Sequence, residues 1–182
     1  MSKLIITRGL PASGKSTWAK QWVLEDPEHR VRINQDDIRL MLGKYWVPKR
    51  EPLVQHIQEE ALIEALLKGY DIVIDNTNLN KKVLDNYRAL VIAHGNHAIE
   101  FKDFFDTPLS VCIERDKNRD VQVTERVIRS FYNNYKDKYP LNGNKIKKKN
   151  FNAVAPWFDN LTDQEDFFFV QVMQKKKKKN NV

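Results

Sequence analysis

The clearest chemical signal in the sequence is a glycine-rich run near its beginning. Residues 9–16 read Gly-Leu-Pro-Ala-Ser-Gly-Lys-Ser and fit the pattern G-x-x-x-x-G-K-[ST]. The run lies between an apolar segment, residues 4–6, and a segment with helical periodicity, which is the context in which such a loop cradles phosphate. Lys15 can reach the β- and γ-phosphates, and the Ser16 hydroxyl can bind Mg²⁺. The pattern predicts a nucleoside triphosphate site and leaves the phosphoryl acceptor open.

A second polar segment, Asn34-Gln35-Asp36-Asp37-Ile38-Arg39, follows a short apolar run. A kinase that acts on an alcohol benefits from a carboxylate that accepts the hydroxyl proton, and Asp36 is our candidate. Arg39 lies one helical turn later, where its guanidinium could hold a phosphate in a bidentate manner. The alternative from spacing alone is that Asp36 only caps a helix and that Arg39 lies in solvent.

A third polar segment, Asp75-Asn76-Thr77-Asn78, follows the apolar run at residues 72–74. Ligands bind at the carboxyl edge of a parallel sheet, so Asp75 could face Mg²⁺ or its water shell. The amide and hydroxyl groups of Asn76, Thr77 and Asn78 suit hydrogen bonds to a substrate. The alternative is an Asx-type turn into the next helix.

Two arginines, Arg115 and Arg119, flank a short charged segment between two predicted helices. On a mobile segment they could close over the triphosphate and neutralise charge as the γ-phosphoryl group leaves. The alternative is an ordinary charged helix face.

The elements that must position these residues alternate between strands and helices. Apolar runs predict strands, and 3.6-residue periodicity predicts helices, which predicts an α/β fold with a parallel sheet covered on both faces. The predicted strands are residues 3–7, 31–33, 71–75, 98–105 and 167–172. The predicted helices are residues 15–24, 36–42, 53–68, 81–94, one from 107, and 124–138.

Several finer expectations accompany these elements. Asp36 or Asp37 could cap the second helix, and Thr107 is expected to cap the helix that follows it. The inward faces of two helices are predicted to carry apolar stripes, Leu53, Ile57, Ala61 and Leu62 in one, and Val127, Ile128, Phe131 and Tyr135 in the other.

Length and charge bound the organisation of the chain. Its 182 residues suit one domain, for which we predict residues 1–174, followed by a basic tail at 175–182 that we expect to be disordered. Of the net charge of +7, five come from residues 175–179 and four from Lys145 and residues 147–149, so the remainder sums to −2. Such clustering suits a polyanionic partner, although a solubilising tail is the plain alternative.

Membrane and secretion signals are missing from the pattern of the sequence. No apolar stretch approaches the length of about 20 residues that a membrane span needs, and the first residues read as a strand rather than a leader. The single cysteine, Cys112, cannot form an internal disulfide. We therefore expect a cytoplasmic protein without a membrane partner, in the host cytoplasm if a phage encodes it, and a homo-oligomer is compatible with the sequence.

Together these segments resemble the kinase domain of phage-type polynucleotide kinase, over residues 1–135. The resemblance is carried by residues 9–19, 34–39, 75–80, 115–119 and 127–132, in the same order along the chain. It implies a P-loop NTPase fold with a helical lid, and the transfer of the γ-phosphoryl group of ATP, with Mg²⁺, to the 5′-hydroxyl end of DNA or RNA. No phosphatase segment of the D-x-D-G-T type is present, so no 3′-phosphatase activity is expected.

The resemblance also implies roles for individual residues. Asp36 would be the general base, and Arg39 would hold the phosphate next to the acceptor nucleoside. Ser16 would be the metal ligand. In some members of the family the acidic residue of the third segment lies where this chain has Asn76, so Asp75 and Asn76 compete for that role. The expected nucleotide contacts are Gly9, Ser13, Gly14, Lys15, Ser16, Thr17, Arg115 and Arg119.

Two other functions stay open on the sequence. A small-molecule P-loop kinase could phosphorylate a nucleoside, a nucleotide or a sugar, but Tyr45 and Trp46 favour a polymer because exposed aromatic rings can stack bases beside a basic track. A P-loop switch without a transfer reaction is disfavoured by the pair of Asp36 and Arg39, since a switch needs no base that activates an alcohol.

Overall fold

The computed structural model describes residues 2–95 and 97–143, and these contain one four-stranded parallel sheet. The strand order in the sheet is β2-β3-β1-β4, so β1 lies in the interior between β3 and β4. The strands are β1 (Lys3–Arg8), β2 (Arg30–Ile33), β3 (Asp71–Ile74) and β4 (Ala98–Asp103). All three pairings run parallel, so the carboxyl ends of the four strands share one edge, where the polar segments begin.

Six α-helices connect and flank the strands within residues 2–95 and 97–143. They are α1 (Lys15–Leu24), α2 (Gln35–Met41), α3 (Glu51–Leu67), α4 (Lys81–His94), α5 (Leu109–Lys117) and α6 (Glu125–Tyr135), with short 3₁₀ turns at Pro48–Arg50 and Leu141–Gly143. None of the helices within the described ranges has the length and apolar character that a membrane crossing requires.

Helices cover both faces of the sheet. Successive side chains of a strand point to opposite faces, and in β1 the side chains of Leu4 and Ile6 pack with α3 and α4 while Ile5 packs with α1. A third apolar cluster, which includes Leu10, Cys112 and Ile128, joins the phosphate loop to α5 and α6. The α/β fold with helices on both faces is therefore confirmed, and the phosphate loop rests on the same core as the helices beyond β4.

Two predicted helix caps are wrong. Asn34, rather than Asp36 or Asp37, caps α2, because its backbone is extended and its side-chain oxygen accepts the N–H of Asp37 at 2.9 Å. Thr107 does not cap α5, since its hydroxyl donates to the Ser13 carbonyl at 3.0 Å and the helix begins only at Leu109. Asn34 lies directly after β2, and Thr107 contacts the phosphate loop through Ser13.

Two predicted inward stripes need correction as well. Leu53 and Ala61 are exposed and Ile57 is half-buried, whereas Leu62 is buried as expected. The rest of the buried face of α3 is formed by Val54, Gln58, Ala65 and Leu66. In α6, Ile128 is buried as expected but Val127 is exposed. The predicted strand at 167–172, the division at residue 174 and both lysine clusters lie outside the described residues, and they stay predictions.

Candidate active site

The predicted functional segments meet in a single pocket of about 550 Å³ at the carboxyl edge of the sheet. Residues from the phosphate loop, from the ends of β2 and β3, from the loop after α2 and from α6 and the segment before it form its wall. They are Pro11, Ala12, Lys15, Ser16, Asn34, Gln35, Asp36, Arg39, Tyr45, Trp46, Asp75, Asn76, Thr77, Arg119, Gln122, Val123, Val127 and Phe131.

The phosphate loop is shaped by glycine at its first position. Gly9 has φ +151°, and a Cβ atom there would stand 3.0 Å from both the Phe104 carbonyl and the Ser13 hydroxyl, so a side chain would force the loop open. The Gly9 N–H donates to the Thr77 carbonyl at 3.2 Å. This bond ties the loop to the segment after β3. Gly9, Ser13, Gly14 and Thr17 shape or border the loop, but they do not line the pocket.

Lys15 is buried beneath this loop. Its ammonium donates to the Leu10 carbonyl at 2.6 Å, to the Gly9 carbonyl at 3.2 Å and to the Ser13 hydroxyl at 3.3 Å. Burial lowers the pKa of Lys15 to about 8, against an opposing effect of Asp75. A desolvated ammonium in the pocket wall is a strong partner for phosphate oxygens, because water does not screen it.

Asp36 projects from the first turn of α2 into the pocket, and its two oxygens differ. Oδ1 accepts from Arg39 Nη1 at 2.7 Å and from the Tyr45 hydroxyl at 3.0 Å. Oδ2 receives no hydrogen bond from any described residue. Burial, with the neighbouring Asp36, raises the pKa of Tyr45 to about 12, so the phenol stays a donor. One oxygen is thus held, and the other is free to accept a proton.

Arg39 lines the pocket but does not lie in solvent. Its Nε and Nη2 donate to the two carboxylate oxygens of Glu51 at 2.9 and 2.7 Å, while Nη1 reaches Asp36. Glu51 begins α3, so this fork joins α2 to α3. The sequence alternative in which Arg39 is a solvated surface residue is therefore wrong, and Arg39 fixes the orientation of Asp36.

Asp75 is almost completely buried at the end of β3. Its Oδ2 accepts from Arg32 at 2.8 Å (Nε) and 2.7 Å (Nη2), and from Asn34 at 3.4 Å. Its Oδ1 is buried without any hydrogen-bond partner. Asp75 lines the same pocket as Lys15 and Ser16. A buried carboxylate oxygen without a hydrogen-bond partner is destabilising and uncommon, since buried polar atoms are nearly always paired.

A cation would supply the partner that Asp75 Oδ1 lacks. Mg²⁺ prefers oxygen ligands, keeps several waters and is typically bound by one or two protein groups together with substrate phosphates. The Ser16 hydroxyl and the Asp75 carboxylate line the same pocket and fit this description. The described residues hold no cluster of three or more His, Cys, Asp or Glu side chains that could form a metal site of their own.

Asn76 and Asn78 of the third polar segment form hydrogen bonds that connect elements of the fold, a role that the sequence does not predict. Asn76 accepts from the Gln35 N–H at 3.1 Å and donates to Gln58 at 2.8 Å, which ties β3 to α2 and α3. Asn78 is buried with φ +46°, and its amide donates to the carbonyls of Thr7, Ile74 and Asn76. Thr77 and Asn76 line the pocket, whereas Asn78 lies behind it.

The two arginines of the predicted lid lie in different places. Arg119 lines the pocket, whereas the Arg115 guanidinium lies beside the phosphate loop, where a Cβ atom added to Gly14 would stand 3.8 Å from its Nη1. Both positions suit contacts with a triphosphate, but only Arg119 reaches the wall shared with Asp36. The two arginines therefore occupy different positions, Arg119 in the pocket wall and Arg115 beside Gly14 of the phosphate loop.

Asp116 organises the segment that carries Arg119. The side chain is buried, and its two oxygens accept the N–H groups of Val123 at 3.1 Å and Thr124 at 2.9 Å. Arg119 Nη1 lies 3.7 Å from the same carboxylate. Thr124 has φ +84°, which is uncommon for a β-branched residue and needs such support. Asp116 thereby fixes the turn between α5 and α6.

Three residues that position parts of the pocket, Arg32, Glu51 and Asp116, are not predicted by the sequence. Each acts through a partner that is remote along the chain or through backbone N–H groups. The only local signals are a charged residue inside a short strand, an acid at a helix start and an acid beside a predicted lid arginine. None of these signals identifies its partner.

Comparisons with known proteins agree with this geometry. A family model described as an AAA domain matches residues 4–138. A protein of Autographa californica nuclear polyhedrosis virus, named as a bifunctional polynucleotide kinase/RNA ligase, is 26% identical over 162 aligned residues, covering 81% of this chain and 20% of the relative.

Solved structures give the same picture. A chain in the structure of the Pnkp1/Rnl/Hen1 RNA repair complex matches with a TM-score of 0.63 and 26% identity, over 76% of this chain and 46% of that chain. A second structure of a Pnkp1/Rnl/Hen1 complex gives a TM-score of 0.56 and 30% identity, over 68% and 42%. This chain thus spans less than half the length of each of these three relatives.

Proposed function

Since this chain belongs to the AAA-domain family and is a P-loop kinase domain, we propose that it transfers the γ-phosphoryl group of ATP to the 5′-hydroxyl end of a polynucleotide. The observation that carries the proposal is the state of Asp36, which faces the phosphate-loop pocket with one oxygen held and one free. The relative named as a polynucleotide kinase supports a nucleic-acid acceptor. Such a reaction would serve nucleic-acid repair in the cytoplasm.

The transfer step uses few groups of the protein. The acceptor 5′-oxygen attacks the γ-phosphorus, its proton passes to Asp36 Oδ2, and the bond between the γ-phosphorus and the β,γ-bridging oxygen breaks to leave ADP. Arg39 and Tyr45 hold Oδ1, so Asp36 need not reorient as the hydroxyl arrives. Positioned base catalysis of this kind supplies roughly 10²–10⁴-fold.

The donor side stabilises charge. Lys15 would contribute a desolvated positive charge to the β- and γ-phosphates, and Arg119 from the pocket wall and Arg115 from beside Gly14 would add further positive charge. Mg²⁺, held through Ser16 and faced by Asp75, supplies charge neutralisation to the phosphate oxygens when it is bound. Arg32 keeps Asp75 in place by holding its Oδ2, which leaves Oδ1 directed away from the ion pair.

On the acceptor side, Arg39 has two roles in this proposal. It orients Asp36, and it offers the N–H groups of Nη1 and Nη2 that Asp36 and Glu51 leave unused to a phosphate next to the terminal nucleoside. Asn76 and Thr77 complete the polar wall of the acceptor site. A small alcohol without a neighbouring phosphate would leave this second role of Arg39 unused.

The experiment is a transfer assay with ATP labelled at the γ-phosphate. Three acceptors are compared: an oligonucleotide with a 5′-hydroxyl, the same oligonucleotide already phosphorylated at its 5′ end, and a free nucleoside. We expect label on the first acceptor only. Label on the nucleoside alone would support a small-molecule kinase, and label only as free phosphate would support a switch; either result overturns the proposal.

A further inference from the structure

We infer that the loop at residues 42–50, called here the rim loop, binds the single strand that trails from the phosphorylated end, with Trp46 as its stacking platform. The inference rests on the proposed function, because it names where a polymer would leave the pocket. It concerns nucleotides beyond the terminal one, which the residues around Asp36 do not reach.

The rim loop is held in a defined shape. The Arg50 guanidinium donates to the Leu42 carbonyl at 2.6 Å, which closes the loop across its base. The Arg50 N–H donates to the Val47 carbonyl at 2.8 Å within the 3₁₀ turn. In the middle of the loop, the Tyr45 hydroxyl reaches Asp36. A surface fixed at these points loses little conformational entropy when a ligand binds.

Trp46 occupies the boundary between the pocket and solvent. It lines the pocket, yet 55% of its surface is exposed. The Arg39 guanidinium lies 5.4 Å from the centre of its ring, and Glu51 fixes that guanidinium in turn. An exposed aromatic ring at the mouth of a pocket can stack a base of any identity, because every base has a π-face.

Charge continues outward from Trp46. Lys44, Lys49 and Arg50 are exposed, and the rim loop contains no acidic residue. Neither Lys44 nor Lys49 forms an ion pair with any residue in the described ranges. Free cations beside an aromatic platform suit a single strand, whose phosphates meet the cations while its bases stack.

The direction of the strand follows from what surrounds the pocket. The phosphate loop takes the donor, and Arg119, Val123, Val127 and Phe131 form the wall on the lid side. The rim loop is the part of the wall that combines contact with Asp36, through Tyr45, and wide exposure to solvent. A strand whose 5′ end lies at Asp36 therefore has an exit across Trp46.

The main test compares two acceptors, a nucleoside 3′-monophosphate and a 5′-hydroxyl hexanucleotide, in the wild type, Trp46→Ala and Trp46→Phe. We expect the wild type to prefer the hexanucleotide in kcat/KM. Because stacking contributes about 1–3 kcal/mol per base, Trp46→Ala should reduce this preference by roughly 5- to 150-fold. Trp46→Phe keeps a ring, so it should retain most of the preference.

A change in the substrate gives an independent reading. A hexanucleotide that lacks the base at its second position should lose affinity for the wild type but lose little further for Trp46→Ala, because the missing base and the missing ring remove the same contact. If the losses of affinity caused by the missing base and by Trp46→Ala instead multiply, the two changes remove different contacts and the inference is overturned. An equal loss of kcat/KM for both acceptors in Trp46→Ala would also overturn it, since Trp46 would then act only through Arg39.

The charges of the rim loop are tested with the double variant Lys44→Gln/Lys49→Gln. The matched control is Lys20→Gln/Lys82→Gln, which removes two exposed lysines from α1 and α4. Each lost phosphate contact should reduce the slope of log affinity against log salt by about 0.7 with the hexanucleotide. Unchanged slopes in the rim-loop variant contradict the inference. If the wild type phosphorylates both acceptors equally well, the inference fails and the proposed function stands; if it phosphorylates no oligonucleotide, both fail.

Discussion

The donor side and the acceptor side of the pocket are built in different ways. On the donor side, one contiguous loop supplies the backbone, and Lys15 packs beneath it through bonds to residues two to six positions away. On the acceptor side, Asp36 is oriented by Arg39, and Arg39 by Glu51, twelve residues further along the chain. The donor side is a local motif, whereas the acceptor side is a network of ion pairs between elements.

This difference has a consequence for how each side responds to change. A local loop is disrupted by the loss of its own glycine or lysine. The acceptor network can be weakened from a residue that touches no substrate, because each member is positioned by the next. The acceptor network and the lid are therefore expected to respond to substitutions at positioning residues such as Glu51 and Asp116.

The largest expected effect is that of Asp36→Asn. The substitution keeps the shape of the side chain but removes the proton acceptor, so kcat should fall by roughly 10²–10⁴-fold. ATP affinity, measured by calorimetry, should change little because the donor site is left intact. Asp37→Asn is the matched control, since Asp37 is an exposed partner of Arg32 outside the pocket wall. An inactive Asp37→Asn beside an active Asp36→Asn would assign the role of general base to Asp37 instead.

Removing the charge of Glu51 should weaken the acceptor side from outside the pocket wall. Glu51→Gln leaves only one side-chain oxygen to accept hydrogen bonds from the Arg39 guanidinium. Because a hydrogen bond to a charged group contributes about 1.5–3 kcal/mol, kcat/KM for the oligonucleotide should fall by roughly 10- to 150-fold. KM for ATP should stay near its normal value. Glu64→Gln, which removes an exposed pair with Lys68, serves as the control.

Equal losses for ATP and the oligonucleotide in Glu51→Gln would contradict this division between the two sides. They would place Arg39 at the donor site instead. A fall in the melting temperature with unchanged kinetic constants would reduce the fork between Arg39 and Glu51 to a purely structural link between α2 and α3.

Sequence reasoning succeeds where a feature is local. The phosphate loop is contiguous, and the helices at 15–24 and 81–94 have the predicted bounds. The first begins directly after Gly14, and the second lies between Asn80 and Gly95. It fails for the buried face of α3, where apolar residues occur on several sides and a polar residue, Gln58, is buried because it donates to the Tyr87 hydroxyl at 2.8 Å. Periodicity alone cannot place a polar side chain inside.

The site shows the same limit. Asp36 and Arg39 are predictable as candidates from their types and spacing, but their partner Glu51 is not. Val127 is apolar and falls on the same stripe as Ile128, which predicts a position in the core. In the structure it is exposed and lines the pocket. An apolar residue that serves a ligand site follows the same pattern as one that serves the core, so only the fold distinguishes them.

A third prediction concerns the lid. Asp116→Ala removes the acceptor for the N–H groups of Val123 and Thr124, so the turn that carries Arg119 should lose its fixed shape. We expect kcat to fall by roughly 10- to 100-fold, within the range for losing charge-assisted hydrogen bonds. In an Arg119→Ala background the same change should cost little more, because Asp116 acts through Arg119. Full additivity in this double-mutant cycle would contradict a positioning role.

The smallest expected effect is a pH dependence confined to the donor side. Burial lowers the pKa of Lys15 to about 8 in the free protein, and bound phosphates favour the charged ammonium, so ATP binding should raise that pKa. The Lys15 contribution to ATP affinity is then constant below about pH 7 and falls with rising pH above 8, by roughly tenfold between pH 7 and pH 9. The second ionisation of a phosphate group has a pKa near 6, so it is largely complete by pH 7 and contributes little between pH 7 and pH 9. Calorimetry in buffers of different ionisation enthalpy should show proton uptake on ATP binding at pH 8.5 and almost none at pH 6.5.

The control for this pH dependence is Lys15→Arg. Its guanidinium stays charged throughout, so its ATP affinity, even if weaker, should not vary between pH 7 and pH 9. A wild-type affinity that is flat from pH 7 to 9 would mean that the Lys15 ammonium does not meet the phosphates.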